Sequence, residues 1–194
     1  MEIRIKSITH ERTEDAPFIG ALVSAIDCKF GCKGCINNHV KKQPTVRLEA
    51  SEIIRQVLSN PFNKGIILGG LEWSLQPIEM VELAKLASEA GLQVMIYTGC
   101  NLNEFYRRIG IAVAESTGQS EYVQAVAIGD AADMFDVIGR MALDNCVPED
   151  YYIKTGMYDK TLKVSDNRPF GVQLATSNQK IYKIAKGEVN NVKV

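Results

Sequence analysis

Between Phe18 and Tyr97, apolar runs of strand length alternate with segments of helical periodicity, and this alternation narrows the possible folds more than any other feature. Phe18 to Ile26 (FIGALVSAI) is a short apolar run that ends at Asp27 and a glycine-punctuated loop, which predicts a buried strand. Glu49 to Leu58 sets Ile53, Ile54, Val57 and Leu58 at helical spacing, with Ser51 and Glu52 near the start and Asn60-Pro61 past the end. Lys64 to Leu68 is a second strand that runs into Gly69-Gly70. Pro77 to Ala90 predicts a second helix with Ile78, Val81, Ala84 and Ala87 along one face and Gly91 as its stop, and Leu92 to Tyr97 a third strand.

Strand, loop and helix in this order predict an α/β fold built on a parallel sheet, with the C-terminal ends of its strands at one pole. That pole gathers the Cys28 to Cys35 loop, the Gly69-Gly70 turn and the Thr98-Gly99-Cys100 turn, and function is expected there. From Asn101 to about Asp144 the pattern is mostly helical, with Met134, Val137, Ile138 and Met141 at a spacing of 3 to 4; from Asp150 onward, YYIKTGMYD, FGVQLAT and KIYKIA read as strands and turns. One domain spanning 1–194 is expected, since no repeat, low-complexity tract or linker interrupts the 194 residues. This is short of the roughly 250 residues of a full (β/α)8 barrel, so the expected form is an incomplete parallel (β/α) barrel.

Lys plus Arg count 22 against 23 for Asp plus Glu, a net charge of -1, so no global field draws the chain to nucleic acid or to an anionic membrane. The longest apolar stretches fall far short of the roughly 18 to 20 residues that cross a bilayer. The N-terminal MEIRIKSITHERTED lacks an apolar h-region, and a cytoplasmic protein is expected. The basic pairs Lys41-Lys42 and Arg107-Arg108 read as solvated faces. Five cysteines are an odd number, and three fall within eight residues, which argues for reduced thiolates rather than a disulfide framework.

Those three form Cys28-Lys29-Phe30-Gly31-Cys32-Lys33-Gly34-Cys35, a C-x3-C-x2-C loop directly after a predicted strand. Zinc sites usually close with paired C-x2-C knuckles; no second knuckle is present, and His10 and His39 lack ligand spacing. A [4Fe-4S] cluster on three cysteines leaves one iron without a protein ligand, an open position for a cofactor. Cys100 reads as a core or rim cysteine, and Cys146 carries no motif. At the end of the second strand, Gly69-Gly70-Leu71-Glu72 combines backbone that permits close approach with a carboxylate suited to an ammonium.

The cysteine loop resembles the signature of the radical S-adenosylmethionine (SAM) superfamily. The resemblance implies that Cys28, Cys32 and Cys35 ligate a [4Fe-4S] cluster. Its open iron would chelate the amino and carboxylate groups of SAM, and one electron would cleave the sulfonium to a 5′-deoxyadenosyl radical. It further implies that Gly69, Gly70 and Glu72 meet the SAM amino group, although Leu71 and Trp73 depart from the usual Gly-Gly-acidic-Pro order.

Within that superfamily, further stretches resemble the anaerobic ribonucleoside-triphosphate reductase activating proteins. They are Gly34-Cys35-Ile36-Asn37, Tyr97-Thr98-Gly99, Ile153-Lys154-Thr155-Gly156-Met157-Tyr158 and Ala175-Thr176-Ser177-Asn178-Gln179-Lys180-Ile181. The resemblance covers about Phe18 to Gly99 and Tyr152 to Tyr182, and adds Asn37 and Thr98 to the implied cofactor-binding residues. It implies an incomplete barrel of the radical SAM type and a glycyl-radical ribonucleotide reductase as protein substrate, with a flavodoxin- or ferredoxin-type electron donor. Thr13-Glu14-Asp15-Ala16-Pro17 stands where that family often has Asp-Gly-Pro-Gly-x-Arg, and 101–150 is longer than the usual connection. The alternatives are a small-molecule radical SAM enzyme similar to the 7-carboxy-7-deazaguanine synthases and a non-catalytic iron–sulfur electron carrier; the carrier would want a fourth ligand.

Overall fold

A computed structural model describes residues 1–118, 132–147, 149–185 and 188–190. The elements are β1 (Glu2–Ile5), β2 (Ser7–Arg12), β3 (Gly20–Ser24), α1 (Asn38–Lys41), β4 (Val46–Glu49), α2 (Ala50–Ser59), β5 (Gly65–Gly69), α3 (Pro77–Glu89), β6 (Gln93–Tyr97), α4 (Leu102–Ser116), α5 (Ala132–Cys146), β7 (Tyr151–Thr155), β8 (Lys180–Ala185) and β9 (Glu188–Asn190). The fold is mixed α/β. Among the described residues, seven strands form one sheet in the order β2-β3-β5-β6-β7-β8-β9. β3, β5, β6 and β7 run parallel at its centre, while β2 at one side and β8 and β9 at the other are antiparallel.

β5 (GIILG) is an uninterrupted apolar run because both of its faces are covered, and every one of its residues is buried. The register of the central strands stacks residues in rows that alternate between faces. Leu22, Ile67, Met95 and Tyr152 form a row on one face, and Val23, Leu68, Ile96 and Ile153 a row on the other. The second row packs with Ile53 and Val57 of α2, Met80 and Leu83 of α3, and Phe105 and Ile109 of α4. Irregular chain covers the first row: Ala16 and Phe18 from the N-terminal segment, Val172 and Leu174 from the late one. Gly20 and Gly65 leave the space that the Phe18 ring fills, since a Cβ on Gly20 would lie 3.0 Å from that ring and one on Gly65 would enter it.

The strand, helix, strand, helix, strand predicted from Phe18 to Tyr97 corresponds to β3, α2, β5, α3 and β6, with local corrections; α1 and β4, between β3 and α2, were not expected. The first strand is shorter than Phe18 to Ile26, because Phe18 folds under the sheet instead of extending it. The buried face of α3 is Met80, Leu83, Ala84 and Ala87; Ile78 and Val81 lie at its edge. On α5 the buried residues are Phe135 and Leu143, whereas Met134, Val137 and Met141 are exposed. The expected helical stretch is observed as α4 and α5; residues 119–131 between them lie outside the described residues. FGVQLAT is a short 3-10 turn, Pro169–Gly171, followed by irregular chain that carries the isolated Lys163–Thr176 bridge in place of a strand. The N-terminal segment, assigned no strand from sequence, forms β1, whose buried Ile3 and Ile5 alternate with exposed charges, and pairs antiparallel with β4. No described helix is long and apolar enough to cross a membrane.

α4 and α5 meet through glycine. A Cβ on Gly110 would collide with the Phe135 carbonyl, and one on Gly139 with the Tyr106 carbonyl and, at 2.9 Å, the Gly110 nitrogen. The backbones therefore touch directly, and no rotamer can relieve an added methyl. Gly139→Ala is expected to destabilise the protein by about 1–3 kcal/mol despite the better helix propensity of alanine, read as a lower denaturation midpoint; an unchanged or raised midpoint would show that the helices separate at no cost.

Candidate functional site

A cavity of about 330 Å³ opens at the C-terminal ends of the parallel strands. One side is lined by Cys28, Cys32, Cys35, Asn37, Gly70, Glu72, Thr98 and Gly99, and the other by Arg12, Asp15, Lys154, Gln173 and Gln179. The convergence expected for the cysteine loop, the Gly-Gly turn and the Thr98-Gly99 turn is therefore present. Gly69 is the last residue of β5 and lies just outside the lining; its carbonyl accepts from Ala25 and Leu71, which sets up the turn. Gly70 adopts φ +71°, and a Cβ there would run into Ser24, so glycine is needed both for the turn and for the close approach of β3.

The cysteine loop is held at several points along its length. Gly31 and Gly34 turn it through positive φ, at +65° and +78°. Phe30 lies against the backbone of Gly99, where a Cβ would strike its ring, and the Arg108 guanidinium sits 5.8 Å from the ring centroid. Asp27 Oδ1 accepts from the Cys28 amide at 2.7 Å, and Lys41 donates to the Cys28 carbonyl. Cys28, Cys32 and Cys35 are free and half-buried, without disulfide partners. Burial, followed by the nearby Glu72 charge, pushes the Cys28 thiol up, against the opposing pull of the Phe30 backbone hydrogen bond and Lys41. Among the described residues, no three His, Cys, Asp or Glu side chains are close enough to share a single metal ion. Three separate thiols around one cavity instead suit a cluster, in which each thiolate takes its own iron.

Glu72 organises the two neighbouring turns. It is 3% exposed. Its Oε1 accepts from the Ser74 amide at 3.0 Å and from Thr98 Oγ1 at 2.9 Å, and its Oε2 accepts from the Gly99 amide at 2.7 Å. Thr98 Oγ1 in turn accepts from the Cys100 amide at 3.1 Å. The indole of Trp73 donates to the Val23 carbonyl at 3.0 Å and anchors the same turn to β3. The carboxylate expected to meet an ammonium thus already holds three donors, with one lone-pair direction left.

Cys100 is buried in the helix-side core, with its sulfur 3.8 Å from Ser74 Oγ, and does not line the cavity. Cys146 lies on α5, also away from it. The basic pairs are not simple solvated faces: Lys41 lines the cavity, and Arg108 donates to Ser74 Oγ at 3.0 Å and to Glu104. Asn178 and Gln179 brace the exit of β7, donating to the carbonyls of Met157 at 2.8 Å and Gly156 at 3.3 Å. Sequence reasoning assigned no role to Tyr97, Lys154 or Gln173. Tyr97 donates its hydroxyl to the Asp15 carbonyl, and burial raises its pKa. The Lys154 ammonium lies 4.7 Å from the Tyr97 ring centroid. The available signal was positional, since Tyr97 and Lys154 both stand at the ends of predicted strands.

Glu72→Ala would leave the Ser74 and Gly99 amides and the Thr98 hydroxyl without their acceptor, at about 1–3 kcal/mol for each group that water does not reach. The variant is expected to unfold at lower denaturant and to fluoresce differently from Trp73, next in the chain; wild-type stability would show that the carboxylate ties nothing together.

Over residues 19–128 the chain matches the family described as a 4Fe-4S single cluster domain. No curated protein matches it. The matched span takes in the cysteine loop, the Gly-Gly turn and the Thr98-Gly99 turn, the segments that build one side of the cavity. Covering more than half of the chain, this match shows that the protein belongs to the 4Fe-4S single cluster domain family and binds a [4Fe-4S] cluster.

Proposed function

We propose that the chain is a radical SAM enzyme that installs a glycyl radical on an anaerobic ribonucleotide reductase. The observation that carries this reading is the donor set: three free thiols line the cavity, while Cys100 and Cys146 stand elsewhere. Three thiolates from one loop leave one iron of a [4Fe-4S] cluster for a non-protein ligand, which an electron carrier does not need. The matched family is itself associated with radical SAM proteins.

In this reading Cys28, Cys32 and Cys35 hold the cluster, and Gly70, Glu72, Thr98 and Asn37 surround SAM. The cluster and SAM together supply, from one electron of a flavodoxin- or ferredoxin-type donor, a carbon radical able to take the hydrogen atom from a glycine Cα. The chain's own part is positional. Gly70 lets backbone approach the cofactor, and Glu72 fixes Thr98 and Gly99. Phe30, packed against Gly99 and under the Arg108 guanidinium, holds the cysteine loop beside the cavity. A row of four parallel strands with antiparallel strands on both edges is read as an incomplete barrel, open enough to admit a peptide loop. The reaction belongs in the cytoplasm, where thiols stay reduced.

After anaerobic reconstitution, Cys32→Ala is expected to lose the cluster and SAM cleavage, while Cys100→Ala retains both. Equal damage from Cys100→Ala would overturn the three-ligand assignment. With reductant, SAM and the reductase, a glycyl radical should appear on the reductase, and deuterium from its glycine Cα should pass into 5′-deoxyadenosine. Label arriving from a purine or another small molecule would instead favour a small-molecule radical enzyme.

A further inference from the structure

Lys41 and Asp27 close the cysteine loop on itself. Successive backbone bonds carry the loop into α1: the Cys35 amide donates to the Cys32 carbonyl at 3.2 Å, the Asn38 amide to that of Cys35 at 3.4 Å and the Val40 amide to that of Asn37 at 3.0 Å. Val40 is buried in the helix-side core and anchors the short helix. Lys41, the last residue of α1, then reaches back to the start of the loop. Its ammonium donates to the Cys28 carbonyl and lies 3.8 Å from Asp27 Oδ1, and that same Oδ1 accepts from the Cys28 amide at 2.7 Å. The backbone on both sides of Cys28 is therefore held by one cation and one anion. Lys29 and Lys33, the other cations of the loop, are exposed and in no ion pair among the described residues, so water and salt screen them. The oxygens of buried Glu72 are directed to Ser74, Thr98 and Gly99.

A [4Fe-4S] cluster held by three thiolates is anionic before it is reduced, and one-electron reduction adds a further negative charge with no proton to offset it. Local charge and hydrogen bonding set the potential at which this occurs. A cation fixed beside a ligand favours the reduced form and an anion the oxidised form, more strongly than in bulk water. We propose that Lys41 and Asp27 tune the reduction potential of the cluster through Cys28, Lys41 raising it and Asp27 lowering it. The proposal rests on the assignment of Cys28 as a ligand. The Lys41 side chain is 35% exposed and that of Asp27 53%, so the cation is the less screened and its effect prevails. Lys41 thereby lets a one-electron donor of less negative potential reduce the cluster. A purely mechanical clasp would behave differently, because loosening either partner would shift the potential in the same direction, whereas the two charges act in opposite directions.

The test uses full-length protein reconstituted anaerobically and titrated with dithionite in the presence of redox mediators, the reduced cluster being counted by electron paramagnetic resonance. Because Lys41 also lines the cavity, the titration is run without SAM, and SAM affinity is measured separately. At the wild-type midpoint, Lys41→Met is expected to lower the ratio of reduced to oxidised cluster about tenfold, a midpoint about 59 mV more negative for one electron. Asp27→Asn, which keeps an oxygen for the Cys28 amide and loses the charge, should raise that ratio several-fold. Lys41→Arg, which keeps the cation, should stay close to wild type. Shifts of the same sign in Lys41→Met and Asp27→Asn would overturn the inference, since they belong to a clasp. So would a wild-type midpoint in Lys41→Met, and weakened SAM binding in that variant would then assign the ammonium to the cofactor. If Lys41→Met fails to hold a cluster, Asp27→Asn decides: an upward shift supports the inference, and any other result overturns it. If Cys28→Ala assembles the wild-type cluster, the ligand assignment falls and the inference with it; if Cys28→Ala loses the cluster and the charge variants keep the wild-type midpoint, only the inference falls. The midpoint is read whether or not a reductase is the substrate.

Discussion

The hydrogen bonds to the Glu72 carboxylate are the interaction on which the site depends. A carboxylate at 3% exposure carries a desolvation cost of several kcal/mol, offset only when donors surround it. The Ser74 amide comes from the turn that carries Glu72, whereas the Thr98 hydroxyl and the Gly99 amide come from the exit of the next strand. One buried charge thereby fixes the exits of β5 and β6 relative to each other. Gly99, once placed, provides the flat backbone against which Phe30 lies, and Phe30 with Arg108 sets the height of the cysteine loop. The position of the thiols is thus inherited from a carboxylate that is not itself among them.

The two faces of the sheet divide the work. Helices seal one face with Ile, Val, Leu, Met and Phe side chains, at about 1.5–3 kcal/mol for each large one fully buried. The other face is covered by chain from both ends of the sequence, which lacks regular structure and leaves room above Leu22 and Tyr97. Irregular segments cannot close a face as evenly as a helix does, and the cavity is the space they leave. Its inner lining accordingly mixes strand-end residues such as Lys154 with loop residues such as Asp15 and Gln173, the kind of segment in which specificity usually resides.

Much of this was legible in the residues themselves. The alternation from Phe18 to Tyr97 led to β3, α2, β5, α3 and β6 because strand and helix periodicities are written within a few residues. The cysteine spacing marked the metal-binding segment because three donors on one short loop are a local property. The expectation that the three turns share one pole followed from the directionality of parallel strands. Helix orientation was less legible. α3 turns Met80 and Leu83 inward rather than Ile78 and Val81, and α5 leaves Met134, Val137 and Met141 exposed. Several faces of these helices are apolar enough to be buried, and on α5 the contact of Gly139 with Gly110 of α4 decides which one is.

What the sequence by itself determined is therefore the α/β class, the order of the central elements and the identity of the thiol loop, each encoded over short stretches of chain. Tertiary structure decided the rest. It paired β1 with β4 across more than forty residues, committed Glu72 to backbone donors and sent Cys100 into the core. It also brought Arg12 and Asp15 from one end of the sequence and Lys154 and Gln173 from the other into the lining of one cavity. The reason is that burial and hydrogen-bond satisfaction are properties of an environment, and here that environment is assembled from segments that no local window contains.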